Sequence, residues 1–378
     1  MLYVVPDYYK EFKCIADKCE DTCCAGWQIV IDEKSLAKYK KIRGDFRGKM
    51  FKSVNWMNGT FRQDKEKRCA FLNENNLCDL YINQGEDSLC KTCKMYPRHV
   101  EEFEGLREIT LSVSCPEVAK ILMDRETPVK FLSCEKEGEE EYEDFDPFLF
   151  SILEDARTEM IKILQNRELP IRIRTLLVLG MAHDMQVKIN KQEMFSCMDV
   201  IESYQTERAV QRVTSYLKDE DTKEMMLEVA EQLLGKLYEL ELLREDWDLV
   251  LAETETVLHS AEEYEDICES FTKWKEEHFK LDIHLEQLLV YFLFTYFPGA
   301  VYDGEVFAKA QMAVFCTWMI HEIWMARWLV NGKELSKEEM TELLYRFSRE
   351  VEHSDENLKR VEKIMEKGKS ANAGFYQF

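Results

Sequence analysis

Several features of common functional classes are missing from this sequence. None of its 14 glycines belongs to a glycine-rich turn after a strand, so a doubly wound nucleotide-binding sheet is not predicted. Its longest apolar runs, around residues 288–297 and 312–320, are shorter than the ~18 residues that span a bilayer. The N-terminus has no basic start, and Asp7 interrupts its apolar run, so it does not resemble a signal peptide. We therefore expect a cytoplasmic protein without a transmembrane segment.

Net positive charge is also missing. The formal charge is −23, and it is unevenly placed. Residues 1–134 contain 22 Lys and Arg against 21 Asp and Glu, which leaves 28 against 52 for the remainder. Such an acidic surface repels phosphate backbones and anionic lipids, so we expect no nucleic-acid and no membrane partner. It would attract a basic protein partner, although acidity that serves only solubility is the plain alternative.

Cysteine, by contrast, is abundant and concentrated in the first third of the chain. A large chain without an export signal resides in a reducing compartment, so the thiols are expected to be free. Three of the 13 cysteines, Cys197, Cys268 and Cys316, are scattered, as buried apolar residues would be. The other ten lie before residue 135, namely Cys14, Cys19, Cys23, Cys24, Cys69, Cys78, Cys90, Cys93, Cys115 and Cys134. This concentration favours a metal-binding module.

The length of 378 residues exceeds the roughly 250 to 300 at which one core usually stops growing, so two domains are expected. We predict a mainly α protein, in which a small, irregular cysteine-rich domain (1–134) precedes an acidic linker (135–146) and an all-helical domain (147–378) of about eight helices. In the first domain, "CCAGWQIVID" and "EGLREITLSVSCP" alternate like short strands, and "DEKSLAKYKKI" has helical spacing.

Local signals mark several helix ends in the second domain. Pro147 and Pro170 stand where helices begin, and Ser336 with Glu339 forms a predicted capping box. Gly332 and Gly368 stand where helices would end. Further segments with apolar residues at three- and four-residue spacing are 194–217, 222–243, 281–297, 304–330 and 335–351.

The pair Cys90 and Cys93 has the spacing with which two thiolates hold one ion or cluster from a single turn. A redox dithiol has the same spacing, but it would require a thioredoxin-like βαβ context, which is missing here. Metal binding is therefore the favoured interpretation of this pair.

Further candidate ligands are Cys19, Cys23, Cys24, Cys69, Cys78 and Cys115, the last directly before a proline, as in bacterial ferredoxins. Adjacent Cys23 and Cys24 cannot easily point at one centre, so one of them packs or each serves a different centre. One iron–sulfur cluster with spare thiols, one zinc ion with spare thiols, and two centres all remain open.

Five segments together resemble the flagellin lysine-N-methylase family, in order from Cys14 to about Leu358. They are "KCEDTCCAGWQIVID", "CAFLNENNLCDLYINQGEDSLCKTCKMYPRHV", "LSVSCPEVAKIL", "LLVYFLFTYFP" and "RFSREVEHSDENL". The first two also resemble a cysteine-rich zinc/iron-chelating domain of small bacterial proteins. The resemblance implies methyl transfer from S-adenosylmethionine to surface lysines of flagellin, with an iron–sulfur (4Fe-4S) cluster in the cysteine-rich part.

The motifs of two large methyltransferase classes are missing. No glycine-rich turn is present for the usual doubly wound fold. The radical motif Cys-x3-Cys-x2-Cys is also incomplete, because Cys19 and Cys23 are followed by Gly26. The cofactor site must therefore be of another type.

Direct methyl transfer needs a neutral lysine amine, so the reacting pocket must desolvate it or place a base or a carbonyl cage beside it. The candidate catalytic residues follow the ligand pair directly: Tyr96, Arg98 and His99. His99 could instead cap or ligate the metal. Arg98 could neutralise an anionic cluster or hold the carboxylate of an amino-acid-like cofactor. We expect the pocket in the cleft between the two parts, near 96–99 and facing helices of the 281–353 region.

The candidate cofactor-binding residues are Trp27, Glu352 and His353. Trp27 has a plain alternative as a core aromatic, and His353 as a solvated residue at a helix end.

The segment "MAVFCTWMIHEIWMARW" carries Trp318, Trp324 and Trp328 at helical spacing, which favours an interior helix. His321 or Glu322 within it should meet a buried partner. The alternative to an enzyme is a zinc-binding scaffold or interaction protein without catalytic activity, in which the metal only staples a small domain.

Overall fold

The computed structural model describes residues 1–138, 142–219, 223–244, 246–259 and 264–367. The chain divides into two compact units, one of Met1–Ile121 with Phe131–Gly138, the other of Leu122–Lys130 with Glu139–Phe378. The last of the three boundaries, between residues 138 and 139, thus falls inside the acidic segment 135–146, whereas residues 122–130, expected in the first part, belong to the second unit.

The first unit contains six short strands: β1 (Leu2–Pro6), β2 (Val54–Asn55), β3 (Thr60–Phe61), β4 (Arg98–Phe103), β5 (Leu106–Leu111) and β6 (Phe131–Glu135). Four of them form a sheet in the order β4-β5-β1-β6. Strand β1 is parallel to β5 and antiparallel to β6, and β4 and β5 form a hairpin. The chain reverses between them at Gly105, whose φ of 69° is in the region that favours glycine.

Short helices complete this unit: α1 (Glu33–Tyr39), α2 (Phe46–Ser53), α3 (Asp79–Gln84) and α4 (Lys91–Met95), with 3-10 turns at Asp7–Lys10, Ala16–Lys18 and Glu86–Ser88. Helix α5 (Pro116–Asp124) begins in this unit and ends in the second. The helix predicted in "DEKSLAKYKKI" is present as α1, and Asp32 caps it by accepting from the Ser35 amide. "EGLREITLSVSCP" contains β5, as predicted. "CCAGWQIVID" is not a strand; it makes only isolated bridges, such as Ala25 with Arg68.

In the second unit, the described residues contain helices and no strand. The helices are α6 (Pro147–Leu164), α7 (Ile171–Asn190), α8 (Ser196–Tyr204), α9 (Glu207–Asp219), α10 (Lys223–Leu237), α11 (Trp247–His259), α12 (Tyr264–His278), α13 (Leu281–Tyr296), α14 (Ala300–Asp303), α15 (Val306–Val330), α16 (Lys337–Glu352) and α17 (Asp355–Lys367), with a 3-10 turn at Phe297–Gly299. The mainly α class is confirmed. The described residues hold more helices than expected, because 194–217 is divided in two and because α11, α12, α14 and α17 were not among the predicted segments.

The predicted helix starts are confirmed. Pro147 is the first residue of α6, and Pro170 directly precedes α7. The capping box at the start of α16 has both of its hydrogen bonds. Gly332 follows the end of α15 with a φ of 72°, whereas Gly368 lies outside the described residues.

Helix α15 is the interior helix of this unit. Of its 25 residues, 21 are buried, as expected of a helix that is apolar on all sides. It packs against α7, α11, α13 and α17. In the described part of the chain, no helix is both long and apolar enough to cross a membrane.

Candidate functional site

Five of the candidate metal ligands share one hydrophobic core of the first unit. Cys69 and Cys90 are buried in this core, and Cys24, Cys78 and Cys93 pack against it. The thiols of Cys24, Cys69 and Cys90 each raise the pKa of Cys93 electrostatically. These five residues are called the thiol cluster below.

Backbone contacts determine where the thiol cluster lies. Cys90 directly precedes α4 and Cys93 lies within it, so both belong to one helical turn. The start of that turn is held by Asp32, which accepts from the Lys91 amide at 2.8 Å. The Cys69 amide donates to the Cys24 carbonyl at 2.8 Å. Two distant loops are thereby joined at the cluster.

The thiols titrate in pairs. A hydrogen bond from the Cys23 thiol lowers the pKa of Cys24 to about 7, while the same contact and burial raise the pKa of Cys23. In the second pair, the Cys93 thiol lowers the pKa of Cys90, and Cys90 raises that of Cys93. Burial raises the pKa of Cys69 to about 12. Each pair therefore has one thiol with a lowered pKa and one with a raised pKa, and a metal would have to supply the charge for a second thiolate in either pair.

The chemistry of the donor set suits a thiophilic metal, since thiolates are the ligands of structural zinc and of iron–sulfur clusters. In the described parts of the chain, however, no three His, Cys, Asp or Glu side chains are grouped as ligands of one ion. The thirteen cysteines are all free in this structure. The cluster thus offers suitable donors that metal binding would still have to draw together.

The remaining candidate ligands lie differently. Besides Cys24, the neighbouring thiols of Cys14 and Cys115 also raise the pKa of Cys23 electrostatically. The Cys19 thiol donates to the carbonyl of Asp21. Adjacency therefore does not keep the Cys23 and Cys24 sulfurs apart, although their other sulfur neighbours differ.

The three candidate catalytic residues do not converge on one point. On strand β4, Arg98 donates from Nε to the Tyr9 hydroxyl at 2.9 Å. His99 instead pairs through Nε2 with Glu101 Oε1 at 2.8 Å. Successive side chains of a strand point to opposite faces, so Arg98 and His99 serve different sides of the sheet.

Tyr96 and Trp27 do lie together. Their ring centroids are 5.9 Å apart, and the Tyr96 hydroxyl is 3.2 Å from Ser114 Oγ. Trp27 Nε1 donates to the Cys23 carbonyl at 2.7 Å, and its ring packs against the core that holds the thiol cluster. Trp27 thus joins Cys23 to Tyr96.

Glu352, in the second unit, is the centre of a hydroxyl cluster. The hydroxyls of Tyr291 and Tyr296 both donate to its Oε2 at 2.6 Å, and Ser348 donates to Oε1. Burial and the nearby carboxylate raise the pKa of Tyr296. Sequence reasoning missed the two tyrosines, although both lie in "LLVYFLFTYFP", one of the segments that carry the family resemblance.

His353 follows Glu352 at the end of α16, where a solvated side chain was the plain alternative. The structure does not support that alternative. His353 is only partly exposed, and burial, followed by the charge of Arg349, lowers its pKa to about 3.

The expected buried partner of the α15 segment is also found. Glu322 accepts from the Tyr264 hydroxyl and from Trp318 Nε1, both at 2.9 Å. Trp318, Trp324 and Trp328 are buried, as predicted for an interior helix. Tyr264 was not anticipated, because it lies 58 residues away in the chain.

The C-terminal part of the chain is similar to known proteins. A family model described as the FliB lysine N-methylase C-terminal domain matches residues 157–376. The chain is 28% identical over 128 residues to a lysine-N-methylase of Salmonella typhimurium, which is 32% of this chain and 32% of that protein. It is equally identical over 128 residues to the flagellar biosynthetic protein FliU of Salmonella muenchen, 76% of whose length is covered. This chain thus matches about a third of the length of the first relative.

No solved structure matches the chain. The family model covers more than half of the sequence, including α7 to α16 with the Glu352 cluster. The chain therefore belongs to the FliB lysine N-methylase family through its C-terminal domain.

Proposed function

We propose that this chain is a protein-lysine N-methyltransferase that acts on flagellin or a comparable surface protein. The observation that carries this proposal is the family match over 157–376, which contains the hydroxyl cluster around Glu352. The names of the Salmonella relatives point to the same chemistry and to a flagellar context.

The methyl donor of the proposal is S-adenosylmethionine, which supplies an electrophilic methyl group when bound. Glu352 and His353, both in the second unit, would contribute to its binding. A carboxylate oxygen can accept more than one hydrogen bond, so Glu352 can receive donor groups of the ligand beside those of Tyr291 and Tyr296.

The acceptor must lose a proton before it reacts, because a lysine amine is charged at neutral pH. In the proposal, Tyr96, Arg98 and His99 of the first unit serve this acceptor. His99 with Glu101 can take up a proton, since their side chains are already paired at 2.8 Å. The part played by Arg98 is to hold an anionic group through its planar fork.

The cysteine-rich unit would hold an iron–sulfur cluster, of 4Fe-4S type, with zinc as the alternative metal. Cys24, Cys69, Cys78, Cys90 and Cys93 are the first candidates for ligands, because they already share one core. The metal would supply the positive charge that keeps several thiolates together, and with it folding free energy for this unit.

Incubation of the purified chain with methyl-labelled S-adenosylmethionine and flagellin tests the proposal. We expect label on flagellin lysines, located by mass spectrometry. Cys90→Ser should reduce both metal content and labelling, whereas Cys134→Ser, at an exposed cysteine of β6, should change neither.

A brown protein with broad visible absorption, purified without oxygen, would support a cluster rather than zinc. If flagellin remains unlabelled and the chain contains colourless zinc, the scaffold alternative is the better account.

A further inference from the structure

The basic residues of the first unit are concentrated in one stretch of the chain. Residues 1–134 are nearly neutral as a whole, but 33–68 hold 12 of their 22 Lys and Arg and only 4 of their 21 Asp and Glu. This stretch contains α1, α2, β2 and β3. It is therefore strongly cationic, within a chain whose formal charge is −23.

Many of these cations are exposed and have no carboxylate partner. Lys49 is paired with Asp79. Within the described residues, no ion pair is found for six exposed cations of this stretch, namely Lys34, Lys40, Lys41, Arg43, Arg47 and Lys52. Asp45, the one acidic residue between 40 and 60, is exposed and does not cap α2 with its side chain. These positive charges are thus available to an anionic partner.

Aromatic and apolar side chains lie among the cations. Phe51 is 40% exposed, and Met57, in the turn between β2 and β3, is 95% exposed. The ring centroids of Phe51 and Trp56 are 4.9 Å apart, and the Arg47 guanidinium lies 5.4 Å from the Phe51 centroid. We use the name cationic surface for Arg43, Arg47, Phe51, Lys52, Trp56 and Met57.

Local contacts hold the backbone of the cationic surface in place. Trp56 Nε1 donates to the Phe51 carbonyl at 3.2 Å, which ties the β2–β3 turn to α2. The same turn lies against α1, because a Cβ on Gly59 would meet the Leu36 side chain at 3.3 Å. A surface on an ordered backbone loses less conformational entropy when it binds a partner.

The residue types of the cationic surface favour a protein as its partner. Aromatic residues, Met and Arg are enriched in protein–protein interfaces and often contribute most of the binding free energy. A single-stranded nucleic acid needs open ring faces on which bases stack, but Arg47 and Trp56 already lie against the Phe51 ring. A lipid surface needs a broad apolar face, whereas Phe51 and Met57 are the only exposed large apolar residues of 33–68.

We propose that the cationic surface binds a protein that carries clustered carboxylates beside apolar side chains. Arg43, Arg47 and Lys52 pair with the carboxylates, while Phe51 and Met57 contact the apolar groups. The choice rests on charge complementarity, because the remainder of the chain, with its surplus of Asp and Glu, repels an acidic surface and this stretch attracts it. Resting on the proposed function, the partner is the protein substrate, which is bound here through a region other than the reacting lysine.

Fluorescence anisotropy of the full chain with a labelled copolymer of glutamate and tyrosine tests the proposal without methyl transfer. The double variant Arg47→Glu/Lys52→Glu reverses two charges, and Met57→Ser removes the exposed apolar side chain of the turn. Lys120→Glu is the matched control, because it reverses an exposed charge on α5, outside the cationic surface. The substituted side chains are all exposed, and circular dichroism checks that each variant is folded.

We expect the double variant to weaken copolymer binding by about 10-fold or more, and Met57→Ser by about 3-fold or more. Lys120→Glu should change the affinity by no more than about 2-fold. Copolymer binding by the wild type should weaken as salt rises. With flagellin as substrate, the double variant should raise KM and leave kcat unchanged, because the surface contacts a region that does not react.

Unchanged copolymer affinity in the double variant, or an equal loss in Lys120→Glu, would overturn the proposal. Tighter binding of oligothymidylate or of phosphatidylserine vesicles, abolished by the same double variant, would also overturn it and would assign the surface to nucleic acid or to lipid.

The two proposals fail separately. If flagellin is labelled and its KM is unchanged in the double variant, the proposed function is correct and the substrate does not bind at the cationic surface. If flagellin remains unlabelled while the double variant loses copolymer binding, the proposed function is wrong and the cationic surface still binds an acidic protein.

Discussion

Removal of the tyrosine hydroxyls around Glu352 should destabilise the second unit in a measurable and non-additive way. Tyr291 and Tyr296 donate to the same carboxylate oxygen, each at 2.6 Å. A hydrogen bond to a charged group contributes about 1.5–3 kcal/mol to stability, so Tyr291→Phe and Tyr296→Phe should each lower the free energy of unfolding by about that amount. The double variant leaves Oε2 without either hydroxyl, and we expect it to cost more than the sum by about 0.5 kcal/mol or more.

The assay is urea unfolding of the full chain, followed by far-ultraviolet circular dichroism, which reports mainly on the helical second unit. Tyr238→Phe is the matched control. It removes a hydroxyl that donates to Glu255 at 3.0 Å from a side chain that is 43% exposed, so its cost should stay below about 0.5 kcal/mol.

The reasoning is refuted if Tyr296→Phe costs no more than Tyr238→Phe. If the two free-energy costs simply add in the double variant, each hydrogen bond can still be judged by its single variant. Additivity would, however, show that the two hydroxyls are not coupled through one carboxylate. If the proposed function holds, methyl transfer provides a second readout, because a disturbed Glu352 should weaken binding of the proposed methyl donor before it changes the fold.

Three further predictions concern pH, metal and salt. Burial lowers the pKa of His284 from 6.5 to about 4, so the folded state binds fewer protons than the unfolded state. The free energy of unfolding should therefore fall by about 3 kcal/mol as the pH drops from 6.5 to 4. In His284→Gln, thermal unfolding should show a shallower loss of stability over this pH range, and an unchanged pH dependence would contradict the assignment. Removal of the metal by a chelator should unfold mainly residues 1–134 and spare the helices, which hydrogen exchange can follow; uniform loss of protection would count against a metal-held first unit. Binding to flagellin should weaken as salt rises, because charges on the acidic surface are screened over ~10 Å at 0.1 M; salt-independent binding in surface plasmon resonance would reduce the acidity to a solubility feature.

The helix ends are the features that the sequence determined most completely. Pro147 begins α6 because proline lacks the amide hydrogen that a first helical residue does not need. Ser336 and Glu339 begin α16 because each side chain bonds the backbone of the other. Such signals act over three or four residues, so they can be read without knowledge of the fold. The apolar composition of α15 likewise required an interior position.

Strand formation was only partly determined. The alternation in "CCAGWQIVID" matches a strand as well as that in "EGLREITLSVSCP", yet only the latter contains one. Strand β5 has β1 and β4 as neighbours, whereas the earlier segment has only isolated bridges. A strand needs a partner for its backbone groups, and alternation by itself does not indicate whether one is near.

The polar clusters were decided by the tertiary structure alone. Glu352 was identified as a candidate from its sequence context, but its two tyrosine donors lie 56 and 61 residues away. Glu322 and Tyr264 belong to different helices and are 58 residues apart in the chain. Side chains so far apart meet only through the packing of α12, α13, α15 and α16, and a short-range pattern contains no information about which helices become neighbours. The sequence therefore determined the thiol inventory and several helix ends, while the tertiary structure decided which carboxylates accept hydrogen bonds from distant hydroxyls.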